Sequence, residues 1–293
     1  MMIGQFLNYL RVERNYSLRT INAYGDDLYA FEAYFKNLDS HFSWSSVDSD
    51  VIRDWMESMM DKGNTATTGR RRLSALRSFF RFALKSKWIE KDPAYLVQGP
   101  KARYLIPSFV KEKDMDRLLD DKMWTDNYYD CLVRTILFLF YCTGIRLSEL
   151  LELKDSSVDF VNCNLKVLGK RNKQRVIPFG DELRQMLLTY RTKRDIDVEK
   201  HSDVFLLDLK GEPLKKAWVE RTVKQQLSRV TTQQKCTPHV LRHTFATAML
   251  NHNAGIEGIK RLLGHAKLST TEIYTHTTFE QLKKVYKNAH PRA

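Results

Sequence analysis

Along the first third of the chain, apolar positions recur at helical spacing. Ser17 stands as an N-cap before a stretch in which Ile21, Tyr24, Leu28, Phe31 and Phe35 alternate at intervals of three and four, one apolar face at the 3.6-residue period. A second helix is expected over 51–60 and a third after Asn64 and Thr65. The third carries Leu73, Leu76, Phe80 and Leu84 on one face and Arg70, Arg77 and Arg81 on the other, with Arg71 and Arg72 alongside. Gln98, Gly99 and Pro100, with Pro107 just beyond, break helix and mark a boundary. Past it, helices are expected over 112–120 and 128–141. Two β-type runs, 165–168 and 175–178, flank the polar stretch 169–174 and form a hairpin candidate. Thr237 and Pro238 open a helix as N-cap and first position, and residues 256–263 form a short one closed by Gly264. Ser269 with Glu272 has capping-box spacing and starts a helix containing Tyr274. Phe279, Leu282 and Val285 make the last 15 residues an amphipathic helix. The expected fold is mainly α with a small β-sheet.

Composition narrows the class. The length of 293 residues fits about two domains, and 43% hydrophobic with 28% charged residues is ordinary for a soluble globular protein. The longest nearly apolar stretch, 131–142, is interrupted by Arg134 and falls far short of the ~20 residues of a membrane span. The N-terminus has no basic region followed by an apolar core, so no signal peptide is expected. Cys131, Cys142, Cys163 and Cys236 are widely separated, which fits reduced thiols in a cytoplasmic protein. Lys plus Arg outnumber Asp plus Glu by 48 to 35, a net charge of +13. That excess favours a polyanionic partner, nucleic acid first; charge that serves only solubility is the alternative. Residues 1–98 carry +2 and residues 99–293 carry +11. Even so, the arginines at 70, 71, 72, 77 and 81 have no acid among them, which suits a helix for docking on DNA.

Candidate chemistry is bounded first by what is missing. The chain has no GxxxxGK[ST] loop, no GxGxxG between strand and helix, and no HExxH. Cys236, His239 and His243 have a zinc-like spacing, but no second cysteine is near and Arg242 between the histidines opposes a cation; no metal is expected. What remains is a dispersed set. Arg146 lies in TGIRLSEL (143–150), Lys170 at the hairpin connection, and His239 and Arg242 three apart on one helix. His265 follows Gly264, and Tyr274 lies nine residues later.

Together such residues can perform phosphoryl transfer. Two arginines can hold the non-bridging oxygens of a phosphodiester and stabilise the charge of a five-coordinate transition state. A tyrosine hydroxyl can be the covalent nucleophile, although its ordinary pKa near 10 requires cationic help. A lysine can protonate the departing 5′ oxygen. A phosphotyrosine ester keeps the bond energy, so neither ATP nor a metal is needed. Taken singly, each residue better suits a structural role: a helix cap, a solvated turn lysine, satisfied histidines, a half-buried aromatic.

At these residues the chain resembles the tyrosine recombinases of the phage-integrase superfamily, the Xer-type site-specific recombinases above all. The matching segments are TGIRLSEL (143–150), GKRNKQRVIPF (169–179), HVLRHTFAT (239–247), LLGHAKLSTTEIYTH (262–276) and the C-terminal HPRA, with the N-terminal stretch FLNYLRVERNYSLRTINAYGDDLYAFEAYF. The resemblance implies a helical core-binding, SAM-like domain over 1–98, a linker over 99–107 and an α+β catalytic domain over 108–293 ending in an exchange helix. It implies that Arg146 and Arg242 bind the scissile phosphate, that Lys170 is the general acid, and that His239 and His265 assist proton transfer. Tyr274 would form a 3′-phosphotyrosyl intermediate, and exchange would pass through a Holliday junction. Glu149 would orient Arg146, while Arg70, Arg71, Arg72, Arg77 and Arg81 would contact DNA. The partners implied are double-stranded DNA recombination sites and a tetramer on two sites, of this chain alone or with a related recombinase, the tail helix docking into a neighbour. No cofactor and no membrane are implied. Arg171 stands where the Xer pattern has glycine, a departure that bears on hairpin geometry and not on chemistry. A DNA-binding module without chemistry and a DNA-relaxing topoisomerase are the competing readings. Only the full Arg-Lys-His-Arg-His-Tyr set separates catalysis from mere binding.

Overall fold

A computed structural model describes residues 2–39, 42–101, 108–169, 174–264 and 276–293. The chain divides into two compact units, Met1–Leu105 and Ile106–Ala293.

Among its described residues the first unit has four helices: α1 (Met2–Val12), α2 (Leu18–Leu38), α3 (Ser49–Asp61) and α4 (Ala66–Lys85). Ser17, Asp48 and Thr65 cap α2, α3 and α4, each side chain accepting from a backbone N–H of the first turn. The core is aromatic. Phe6, Phe31, Phe79 and Phe80 are fully buried, and Trp44 packs 4.4 Å from Phe79 and 5.7 Å from Phe31 between ring centroids. On α4 the buried face is Leu73, Leu76, Phe79, Phe80 and Ala83. Leu84, expected among them, is exposed, because the true stripe runs one position earlier at the helix end.

The arginines of α4 have protein partners. Arg71 pairs with Asp27 of α2, whose carboxylate is buried, and Arg72 lies 3.5 Å from the same group. Arg77 donates to the carbonyls of Ala94 and Val97, and Arg70 to that of Pro100. These bonds strap residues 94–100 along α4. A Cβ on Gly69 would lie 3.1 Å from Pro100 and 3.2 Å from Met56, so the strap runs close against α4 there. The helix-breaking dipeptide Gly99 and Pro100 is therefore packed onto the first unit. Of the five arginines, Arg81 alone has no hydrogen bond or ion pair among the described residues, and it is exposed.

The second unit is built around α6 (Tyr128–Thr143), buried nearly all round and ended by Gly144 in the left-handed conformation, φ 57°. Around it lie α5 (Glu112–Leu119), α7 (Leu147–Leu151), α8 (Asp181–Asp197), α9 (Lys216–Leu227), α10 (Pro238–Asn251), α11 (Ile256–Leu263) and α12 (His276–Ala289). An antiparallel sheet of β1 (Val158–Asp159), β2 (Asn164–Leu168) and β3 (Gln174–Pro178) runs in chain order. Its register pairs Leu165 with Ile177 and Leu168 with Gln174, so β2 and β3 form the expected hairpin. The helix expected to open at Ser269 falls outside the described residues.

The sequence pattern alone did not single out α1, α7, α8, α9 or β1. In α8 the buried stripe Leu183, Met186, Leu187 and Tyr190 is completed by Arg194. Its guanidinium is fully buried against Asp155, Asp195 and the Phe205 carbonyl. A charged residue thus occupies a core position and breaks the apolar signal.

The tail is seated on its own unit. Leu282, Tyr286 and Ala289 of α12 are buried with Phe245, Met249, Ile259, Leu262 and Leu263. His290 stacks on Tyr286 at 5.0 Å and 8°. Its ring bonds the Tyr141 carbonyl through Nε2, leaving Nδ1 to accept from the Arg292 N–H. Burial pushes this imidazole down to about 4, so it is neutral at physiological pH. Arg292 then pairs with Asp116 and Glu182.

Candidate active site

Helix ends assemble the polar centre of the second unit. Gly144 ends α6, and Gly264, φ 64°, ends α11, both in the left-handed region. Each leaves carbonyls without intrahelical partners, and guanidinium groups fill that need. Arg242, on α10, donates to the carbonyls of Gly144 and Leu263. Arg146, the N-cap of α7, donates to the Gly264 carbonyl at 3.1 Å. The negative ends of two helix dipoles thus face two cations. A Cβ on Gly144 would lie 2.6 Å from the Phe245 ring and 2.8 Å from Leu263, so this turn accepts only glycine.

Glu149 sits at the centre, its side chain 2% exposed. One carboxylate oxygen accepts from the Arg146 backbone N–H at 2.8 Å, which also caps α7, and the other from Arg146 Nη1 at 2.7 Å. From β3, Arg175 engages both oxygens with Nη1 and Nη2 and donates Nε to the Leu262 carbonyl at 3.2 Å. Burial raises the Glu149 pKa, but the bonds and charge of Arg175, then of Arg146, outweigh it and hold the carboxyl at about 2.

Among the described residues three guanidinium groups therefore surround one carboxylate, a charge of +2 for these four side chains. Burial, then the charges of Arg146 and Arg175, bring the Arg242 pKa down to about 9, with Glu149 opposing. It stays protonated at neutral pH, and an incoming anion would relieve the repulsion. Arg242 and Arg146 each direct two N–H groups to these partners, out of five on a guanidinium.

Of the residues singled out from sequence, the structure brings together Arg146, Glu149 and Arg242. His239 is on α10 with Arg242 but exposed, its ring 4.7 Å from that of His243. Burial, then His239 and Arg242, lowers the His243 pKa. Cys236 donates its thiol to the Gln233 carbonyl. Lys170, His265 and Tyr274 lie outside the described residues. Arg175 was not among the expected site residues. Its signal was strand alternation: it shares a face with Ile177, which is fully buried, and a charged residue on a core face needs a partner.

Comparisons with known proteins agree with this architecture. Residues 108–281 match the phage integrase family, and residues 3–87 match the phage integrase N-terminal SAM-like domain. The tyrosine recombinase XerC of Chlorobaculum tepidum is 36% identical, covering 99% of this chain and 94% of its own. The tyrosine recombinase XerD of Staphylococcus haemolyticus is 34% identical over 100% and 99%. In fold, the chain is similar to the XerH site-specific recombinase bound to palindromic difH substrate in a post-cleavage complex, with a TM-score of 0.72 and 23% identity over 96% of this chain and 83% of that one. The Tn1549 transposon integrase in complex with circular intermediate DNA gives 0.70 and 17% over 96% and 98%. The chain belongs to the phage integrase family of tyrosine recombinases. It is an Xer-type enzyme, a site-specific DNA recombinase that breaks and rejoins strands through a 3′-phosphotyrosyl intermediate and a Holliday junction.

Proposed function

We propose that Arg146 and Arg242 clamp the scissile phosphate of a double-stranded recombination site while Tyr274 attacks phosphorus. Lys170 gives a proton to the departing 5′ oxygen, and His239 and His265 assist proton transfer and phosphate binding. Glu149 orients Arg146. The observation that carries this reading is the cluster of three guanidinium groups around one ionised carboxylate, in which Arg146 and Arg242 each use two of five N–H groups among the described residues. Residues 1–98 serve as the core-binding domain, 99–107 as linker and 108–293 as the catalytic domain. The working assembly is a tetramer on two DNA sites in the cytoplasm, and it requires α12 to leave its present seat for a neighbour's. Among the described residues no helix is long and apolar enough to cross a membrane.

The test is the covalent intermediate. Wild-type protein incubated with a labelled nicked duplex, without metal or ATP, is expected to yield a denaturation-resistant protein–DNA adduct. Tight binding with no adduct would overturn the assignment.

DNA contact by the first unit falls to the arginines of α4, and their present partners divide the labour. Arg81→Ala should weaken binding to all sequences alike and flatten the slope of log K against log salt by about 0.9, one phosphate contact. Arg77→Ala should instead lower the melting temperature of the first unit, because two backbone carbonyls lose their donor. Binding isotherms over a salt series, with thermal melts, check both.

A further inference from the structure

We infer that Arg175 is a positioning residue for strand cleavage: from β3 it fixes Glu149, and through Glu149 the guanidinium of Arg146. This rests on the proposed role of Arg146 at the scissile phosphate.

The geometry singles out Arg175 among the buried cations. It grips both oxygens of Glu149 in a two-pronged contact and bonds the Leu262 carbonyl with its third nitrogen. One side chain thus ties three elements together: the hairpin strand β3, the α7 cap and the C-terminal end of α11. Each leads to a residue of the proposed machinery. Arg146 is the α7 cap itself, Lys170 lies five residues before Arg175 on the hairpin, and His265 follows Gly264. The contact is close: a Cβ on Gly264 would lie 2.9 Å from Cδ of Arg175, so the α11 end and the Arg175 stem touch.

A bulky apolar residue at 175 would pack on the core face of β3 as well as arginine does, and buried ion pairs are seldom the most stabilising choice. Arginine contributes what such a residue cannot, the rigid planar fork that sets a carboxylate's orientation. It also keeps Glu149 ionised. Among the described residues the charged groups facing Glu149 are Arg146 from the α7 cap, Arg175 from β3 and Arg242 from α10. Without Arg175, burial acts on a carboxylate left mainly to Arg146, and its pKa rises.

The experiment uses Arg175→Gln and Arg175→Lys in the full chain, with single-turnover cleavage of the nicked duplex followed from pH 5 to 8. Both variants are expected to bind the duplex with wild-type Kd and to cleave at least about tenfold more slowly at neutral pH. The ratio of the Arg175→Gln rate to the parental rate should fall further as pH drops, an acid limb beyond the one that His239 and His265 give both chains, because Glu149 must be ionised to hold Arg146. Arg175→Lys keeps a positive charge, so its acid limb should be weaker while the loss of rate remains. Melting curves give the folded fraction for correction.

The inference is overturned if both variants cleave at the parental rate. It is also overturned if the loss follows the folded fraction or Kd and is independent of pH, which is what a merely structural arginine gives. Parental chain that forms no adduct under these conditions would instead overturn the reading of the site.

Discussion

A Tyr274→Phe chain should bind its DNA site as the parent does and form no covalent adduct, a loss of at least about 10⁴-fold in cleavage. The two side chains differ by one oxygen. Neither carries charge at neutral pH, so phosphate contacts, Kd and salt slope should be unchanged. In the proposed reaction that oxygen is the reagent: it forms the new bond to phosphorus as the bond to the 5′ oxygen breaks, and the 5′ oxygen leaves with a proton. A tyrosine hydroxyl with an ordinary pKa near 10 supplies little phenolate at pH 7. In the proposed reaction the cationic cluster of Arg146, Arg175 and Arg242 around Glu149 would favour both the phenolate and the extra charge of the transition state. A denaturing gel of the labelled duplex reads the adduct, and a binding isotherm reads the affinity. An adduct of parental amount in the Phe chain would assign the nucleophile to another residue. Lost binding would mean that the ring oxygen serves docking rather than attack.

The sequence was informative where local rules decide and silent where partners decide. The caps Ser17 and Thr237 act through their own side chains on the first turn of their helices and the stop Gly264 through its own backbone, so each can be read singly. The arginine face of α4 was visible as a run of charge. That Arg71 and Arg72 answer a buried Asp27 on another helix, and that Arg70 and Arg77 hold the strap 94–100, depends on contacts 17 to 45 positions away. The active site shows the same division. Arg146 and Glu149, three apart, were legible as a pair. Arg175 and the carbonyls of Leu262 and Leu263 enter only when β3 and α11 are packed beside α7 and α10. His239 and Arg242 are also three apart on one helix, yet one is exposed and the other 6% exposed. Helical spacing gives neighbours along a helix, while burial depends on what packs against it.

Glutamine at position 149 should destabilise the chain by about 3 kcal/mol at pH 7, and the gap should close as pH falls. The Glu149 pKa is held at about 2 in the folded chain against an ordinary 4.5. A depressed carboxyl pKa contributes stability that is fully present above the unfolded value and is lost as pH falls through the folded one. At about 1.4 kcal/mol per unit, the contribution is about 3 kcal/mol above pH 5 and declines to about 1.5 kcal/mol by pH 3. Glutamine is nearly isosteric but turns one end of the side chain into a donor that faces the donors of Arg175. It thus approximates the protonated acid and leaves a buried guanidinium half satisfied, a loss of the same order as breaking other buried pairs, about 3–5 kcal/mol. Urea midpoints of both chains at pH 7, 4.5 and 3 check the claim as a difference. His290, whose imidazole titrates near 4 in the folded chain, contributes equally to both and cancels. A gap independent of pH would mean that Glu149 acts through shape alone. A gap that narrows toward acid, accompanied by slower cleavage at pH 7, would tie the same ionised carboxylate to the stability of the second unit and to the placement of Arg146.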